Sequence, residues 1–415
     1  MNAKILSYHG LLLMILCSCS AGPDPLHVRL AIEPTGYMSG EVPCHVDIEL
    51  PRRFEKIGPE EIKISMQAAG DMKEEISGQL IRTREGTFQL WWIVPETFAD
   101  RTQYWTAVLS GQQERDSSSF HWKDSPGRHL DLYLGDRKLF RYCYEMDERF
   151  EKGTTLSARN KPFYHIFDLE GKRLITNGPE EGLWPHQRGI MIGWRDLSFQ
   201  GNQWSFWGME DLTLQQHIEF LDRVTGPVLA QFSALIHWKD STGTTVLEEV
   251  RRAVIYRQPP PVILLLDFIS ELRAINGSVN LDGNAEHGGV QYRAHSDVAE
   301  KIAGTCKPEY FFNRDGVDPR SDYNLPWVGM SYGLRDQIYS VLYMDHPENP
   351  RPSIWSAYRD YGRFGPFFRT QLDPGDSLTL QYRFWISEQR MPKRDTLTSW
   401  ASAYRTLPEV WIMEQ

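Results

Sequence analysis

Three short stretches of this sequence hold residue types that do chemistry, each fenced by glycine or proline. The first reads Gly182-Leu183-Trp184-Pro185-His186-Gln187-Arg188-Gly189, with Gly193-Trp194 and Trp204-Ser205-Phe206-Trp207-Gly208 after it. On a strand, residues i and i+2 face one side, so His186 and Arg188 would converge on one ligand. A neutral imidazole can move a proton, and a guanidinium can neutralise an oxyanion or carboxylate. The plain alternative is a turn histidine beside a salt-bridged arginine.

The second stretch reads Asp282-Gly283-Asn284-Ala285-Glu286-His287-Gly288-Gly289-Val290-Gln291-Tyr292-Arg293. Glu286, His287, Gln291 and Arg293 would set polar side chains along a strand. Gly288-Gly289 permits close backbone approach or a bulge, and bulges often re-aim side chains beside active sites. The alternative is a polar strand edge. The third stretch joins Asp345-His346-Pro347-Glu348-Asn349-Pro350 to the aromatic and arginine-rich run from Trp355 to Pro366. Its aromatic faces would stack on sugar CH groups while Arg and Asp bond the hydroxyls. The alternative is a loop held by Arg–Asp pairs.

These stretches nominate His186, Arg188, Glu286, His287, Arg293 and Tyr358 for proton transfer and charge stabilisation. His165, Trp184, Trp207, Gln291, His346, Trp355, Arg359 and Tyr361 are the expected substrate contacts. Other chemistries lack their motifs. There is no P-loop, no G-x-G-x-x-G after a strand, no G-x-S-x-G and no H-E-x-x-H. No local spacing among His165, His186, His287 and His346 supports a metal centre, and no C-x-x-C occurs. No metal and no cofactor are expected. A net charge of -10 lacks the electrostatic footprint for nucleic acid.

The elements that must position these residues read as β throughout. The chain has 415 residues and 41% hydrophobic content, enough for a large core and for two or three domains. Short alternating runs over residues 28–120 (Val28 to Ile32, His45 to Leu50, Ile62 to Met66, Gln89 to Val94, Tyr104 to Leu109) predict an immunoglobulin-like β-sandwich. The polar segment from Gln112 to Arg128 reads as a linker. Longer strand-like runs over residues 130–390 predict one large antiparallel β-sandwich, with a closed barrel as the alternative. Residues 391–415 read as a tail with a short helix at Leu397 to Met413.

The N-terminus reads as an address. Lys4 precedes a short apolar segment from Ile5 to Leu16, and Leu16-Cys17-Ser18-Cys19 looks like a lipobox. Residues 1–19 are expected to be a signal peptide with Cys19 lipidated, and plain secretion is the alternative. The membrane would then be met only through a lipid anchor, as in a periplasmic or outer-membrane lipoprotein. Cys44, Cys143 and Cys306 remain, as buried free thiols or with one disulfide among them.

Across about residues 130–386 the chain resembles a bacterial family of unknown function with the legacy name "methane oxygenase PmoA-like". The resemblance rests on Lys161-Pro162-Phe163-Tyr164-His165, Pro185-His186-Gln187-Arg188-Gly189, Trp204 to Trp207, Glu286 to Arg293, Asp345 to Pro350 and Arg359-Asp360-Tyr361-Gly362. That family commonly reads Asp-His-Pro-His-His-Arg-Gly at the His186 stretch. Here Leu183 and Trp184 replace the first Asp-His, and Gln187 replaces the last His. This counts against any mechanism that needs several histidines there. The resemblance implies a β-sandwich of galactose-mutarotase-like supersandwich type, associated with bacterial carbohydrate breakdown. It does not imply a methane oxygenase, whose membrane subunits are helical. The expected partner is a glycan or modified sugar, with an envelope protein as a further candidate partner of the first domain. A glycan-cleaving or sugar-modifying enzyme leads, against a non-catalytic glycan-binding lipoprotein or a structural envelope protein.

Overall fold

A computed structural model describes residues 24–34, 38–54, 57–69, 75–83, 85–97, 101–111, 119–146, 160–178, 183–209, 211–406 and 408–413. Cys19 and the expected signal peptide lie outside the described residues. Of the described residues 55% are strand and 6% helix, an all-β fold of antiparallel sheets in sandwich-like arrangements.

The first unit is a seven-stranded arrangement in the order Met38–Ile48, Phe88–Thr97, Glu75–Arg82, Ile62–Ala68, Gln103–Gly111, Leu26–Ile32, Val410–Ile412. Alternation along the strands turns Ile62, Ile64 and Met66 inward, where they meet Leu90, Trp92, Trp105 and Leu109. Glu75–Arg82 pairs first with Ile62–Ala68 and then with Phe88–Thr97, so it passes from one layer to the other. Sequence reading missed that strand. It also missed Val410–Ile412, which pairs with Leu30, Ala31 and Ile32 after the chain has built the second unit.

The second unit packs two sheets face to face. One runs Arg363–Phe364, Gly288–Arg293, Ile190–Trp194, Phe163–Ile166, Arg137–Cys143, His129–Leu134, Phe120–Ser125. The other has eight strands: Leu214–Val224, Leu229–Lys239, Thr245–Tyr256, Val262–Ala274, Ser377–Ser387, Gln337–Asp345, Trp327–Leu334, Cys306–Phe312. Phe140, Tyr164, Ile192, Trp194 and Tyr292 from the first meet Phe232, Trp238, Phe268, Tyr343 and Phe384 from the second in one core. Each such side chain contributes about 1.5–3 kcal/mol by leaving water. The expected linker is corrected here. Within it, residues 112–118 lie outside the described residues, but Phe120–Ser125 is a strand paired with His129–Leu134, and Phe120 is in the large core.

One ion pair is sealed inside that core. Arg251 donates to both Glu249 oxygens, Nε to Oε1 at 2.7 Å and Nη2 to Oε2 at 2.8 Å. Trp238 Nε1 and Ser270 Oγ also donate to Glu249. Arg251 Nη1 reaches the Pro162 carbonyl at 3.0 Å, and Gln215 N donates to the Asn160 carbonyl at 2.7 Å. The core therefore clamps residues 160–162 from below.

The outer face of the eight-stranded sheet is covered by the helix Arg394–Arg405 and by the first unit. Leu397, Ala401 and Tyr404 repeat at helical spacing and pack with Tyr256, Leu265, Met344 and Trp385, joined by Ile81 of the first unit. Gln79 Oε1 accepts from Val228 N at 3.0 Å and Leu229 N at 2.9 Å, tying the two units together. The expected helix from Leu397 to Met413 is thus shorter and earlier, and Val410–Ile412 within the expected span is a strand. Cys44, Cys143 and Cys306 form no disulfide; Cys44 is buried and Cys306 is exposed, so buried thiols describe only part of the set.

Candidate functional site

The outer face of the seven-stranded sheet is polar where its inner face is apolar. Val290 and Tyr292 turn into the core, so their neighbours Gln291 and Arg293 turn outward. The same alternation turns Phe163, His165, Met191 and Arg363 outward, with Arg293 paired across the ladder with Arg363 and Gln291 with Met191. All are buried, because loops cross over them. Gly289 makes one crossing possible. It has φ +78°, and a Cβ there would lie 2.2 Å from the Pro366 carbonyl oxygen. Gly288-Gly289 is therefore a place of close backbone approach, in regular register with Ile190–Trp194.

Over this floor lies a cleft of about 630 Å³. Its lining includes Trp184, His186, Arg195, Asp196, Trp204, Trp207, Asp211, His287, Arg359 and Tyr361. Trp207 is fixed from below, since Lys161, on the clamped segment 160–162, donates through Nζ to its carbonyl and lies 5.6 Å from its ring. Arg363 lies 5.5 Å from the same ring. The edge of His287 meets Trp207 with ring centres 5.8 Å apart. Asn284 Oδ1 holds His287 Nδ1 at 3.0 Å.

His186 does not sit on a strand. Gln187 N donates to the Trp184 carbonyl at 3.0 Å, so Trp184 to Gln187 is a turn. The two-residue spacing of His186 and Arg188 therefore does not make them neighbours on a sheet face. Arg188 folds back, with Nε donating to the Pro185 carbonyl at 2.7 Å and its guanidinium over Phe163. The turn is forced at its end by Gly189, whose φ is +42° and whose missing Cβ would lie 1.8 Å from the Tyr164 carbonyl oxygen. Trp184 has φ 56°, a left-handed conformation that costs a non-glycine residue energy, and its ring packs tilted against Tyr361 with centres 4.5 Å apart.

His186 stands in the cleft with cations around it. Burial, then the charges of Lys161, His287, Arg363 and Arg188, push the His186 pKa down to about 3. His186 is a neutral imidazole at pH 7. Burial lowers Arg293 to about 10, and Arg363 adds to the effect. Arg293 donates to the Tyr361 carbonyl and lies 4.7 Å from that ring. Arg363 donates to Gln291 Oε1 at 2.8 Å and to the Tyr361 hydroxyl at 3.1 Å. Glu286 is held by Arg359 and by the Tyr358 hydroxyl at 3.0 Å.

The structure thus brings Trp184, His186, Trp207, His287, Arg359 and Tyr361 into one cleft lining. Glu286 and Tyr358 stand behind Arg359, and Gln291, Arg293 and Arg188 lie beneath. Glu286 and His287 precede the strand rather than lying on it. Three expected contacts are elsewhere. His165 is sealed against Thr176 at 3.2 Å, with its pKa pushed to about 3, chiefly by burial. His346 packs against Tyr404 at 5.4 Å, far along the chain's fold from the cleft lining. Trp355 is fully buried, with its indole N–H on the Leu325 carbonyl at 3.2 Å. The expected sugar-binding wall of the third stretch is therefore halved. His346 to Pro350 is a loop held by Asp345, the last residue of the preceding strand, with Arg351 and Asn349, while Arg359 and Tyr361 reach the cleft. The sequence did not nominate Lys161, Arg195, Asp196, Asp211 or Arg363 as site residues, although Lys161 stands in a segment that carries the family resemblance and Arg363 in the aromatic and arginine-rich run. Arg363 had a signal, since it lies two residues from Tyr361 on an outward-facing position.

Residues 129–401, which include every residue of this cleft, match the model of a family described as "Family of unknown function (DUF6807)". The chain belongs to that family. No curated protein matches it. The matched region begins at the second unit's strand His129–Leu134, one strand into that unit, and ends in the helix Arg394–Arg405, so the first sandwich lies outside the matched part. Among the described residues no three His, Cys, Asp or Glu side chains converge as a metal site needs, and no helix is long and apolar enough to cross a membrane.

Proposed function

We propose that this member of the family is a carbohydrate-active protein, and that it is an enzyme modifying or cleaving a sugar bound in the cleft. One observation carries the reading. A polar cleft is walled by Trp184, Trp204, Trp207 and Tyr361 and holds two imidazoles, His186 and His287. Aromatic faces suit sugar CH groups, and a neutral imidazole suits proton transfer. His186 is the proposed base, weakly basic in the free protein and made more basic when a bound anion raises its pKa, with His287 as its partner and Arg359 beside the charge that develops. The PmoA-like resemblance in the same segments supports a carbohydrate substrate.

The test is mass spectrometry of a panel of glycans and modified sugars incubated with wild type and His186→Ala, with NMR to catch isomerisation. A product that vanishes in the variant supports the enzyme. Retained sugar without product in either protein supports the second reading, a glycan-binding protein. That reading is favoured by the commitment of Glu286 to Arg359 and Tyr358, which leaves it unavailable as one of the two carboxyls a typical glycosidase uses. We further propose export and lipidation at Cys19, which would place the protein at a bacterial envelope with the first sandwich free to meet an envelope partner. The mass of the mature N-terminal peptide tests this, and an unmodified Cys19 in cells would end it.

A further inference from the structure

We infer that the sugar recognised in this cleft carries an oxyanion, a uronate carboxylate or a sulfate ester, bound by Arg359 together with the buried pair Arg293 and Arg363. The inference rests on the carbohydrate reading and names the substrate class of the same site.

Two facts carry it. The first is uncompensated buried charge. Arg293 and Arg363 are fully buried, and their partners are the Tyr361 carbonyl and hydroxyl, Gln291 and Ser356, none of them a carboxylate. A buried cation without a counter-charge is costly, and here two face each other across one ladder position. The second is an excess of donors. Arg293 Nε and Nη2, Arg359 Nε, and the indole N–H groups of Trp204 and Trp207 are buried without a hydrogen-bond partner. Unsatisfied buried groups are few in native proteins, and these five donors, three on the lining and two beneath it, outnumber the one unsatisfied acceptor of the lining, Gln187 Oε1, so they call for an acceptor-rich ligand. A carboxylate or sulfate supplies acceptors only, and it supplies the missing charge.

The carboxylates near the cleft do not pair with Arg293 or Arg363. Glu286 pairs with Arg359, Asp196 stands 3.9 Å from Arg195, and Asp211, still charged, accepts from Ser205 N. The pKa of His186 is lowered first by burial and then by Lys161, His287, Arg363 and Arg188, so the charge of Arg363 is felt at the lining. Tyr361 screens Arg293 and Arg363, and the strained, exposed Trp184 covers Tyr361. Entry of the anion parts this aromatic pair.

The experiment is calorimetric titration of the full chain with trigalacturonate, its methyl ester, a sulfated disaccharide, a neutral trisaccharide and inorganic sulfate. We expect an acidic sugar to bind about tenfold or more tighter than its neutral counterpart, and Arg359→Gln to remove that preference. Which of the uronate and sulfate arms binds identifies the oxyanion. Because Arg363→Gln can fail to fold, the second readout is NMR of His186 in wild type, whose pKa must rise when the anion binds. Equal affinity for acidic and neutral sugars overturns the inference and leaves the carbohydrate reading standing. Binding of inorganic sulfate without any sugar overturns the carbohydrate reading and keeps the anion site. Folded protein that binds none of the probes overturns both.

Discussion

His186 and His165 share one electrostatic fate with different consequences. Both have pKa values pushed from 6.5 to about 3, first by burial and then by neighbouring cations. A histidine whose folded pKa is depressed is protonated more readily in the unfolded chain. The stability it contributes is present above pH 6.5 and is lost as the pH falls toward 3. Urea unfolding at pH 7, 5.5 and 4.5 should therefore show a steady fall, and His165→Gln should flatten that slope. An unchanged slope would mean that His165 is not buried as a neutral imidazole. His186 differs because it lines the cleft. It stays unprotonated through the neutral range, so any activity it carries should show no loss with a midpoint near 6.5 from this residue. A pH–rate profile in which His186→Ala removes a limb near 6.5 would contradict that.

At the scale of elements, two devices set the site. The turn from Trp184 to Gln187 must end at Gly189, where the backbone passes against Tyr164. Gly189→Ala should destabilise the chain by about 3 kcal/mol or more, because the added Cβ meets backbone that cannot yield and φ is positive. Thermal unfolding of the variant checks this, and a melting temperature equal to wild type would refute the close approach. The second device is the strand Thr245–Tyr256, whose Glu249–Arg251 pair clamps residues 160–162 and so places Lys161 under Trp207. Glu249→Gln leaves Arg251 charged in the core and should cost about 3–5 kcal/mol. Fluorescence of the tryptophan-lined cleft should change in the same variant, if the clamp holds the site from below.

At the scale of the molecule, the two units are stitched twice. Gln79 accepts two backbone N–H groups from the second unit, and Val410–Ile412 closes the first unit's sheet after the helix has crossed the second. Truncation after Thr406 should expose the Leu26–Ile32 edge and lower the melting temperature by about 4 °C or more, as seen by calorimetry. A truncated chain that melts as wild type does would show that this strand contributes nothing. The cleft should keep its ligand binding in that variant, since every residue in its lining belongs to the second unit.

Period-two alternation alone determined that the chain is nearly all β, in antiparallel sheets of sandwich type. Runs such as Leu229 to Trp238 and Ser377 to Ile386 are long enough to name their strands. Glu75–Arg82 and Val410–Ile412 escaped because their patterns are short or broken by small and polar residues. The three polar stretches were also legible, because histidine, arginine and tryptophan between glycines and prolines are costly to bury without cause. Only the tertiary structure decided which of these residues meet. Alternation tells that Gln291 and Arg293 oppose Val290 and Tyr292, but not which face the second sheet covers. That choice depends on the strand Leu214–Val224 and its neighbours, distant in sequence. The same packing drew His346 toward the helix and Trp355 into the core. It left Arg363 and Lys161 behind the cleft, where their charge acts across space and no local pattern records it.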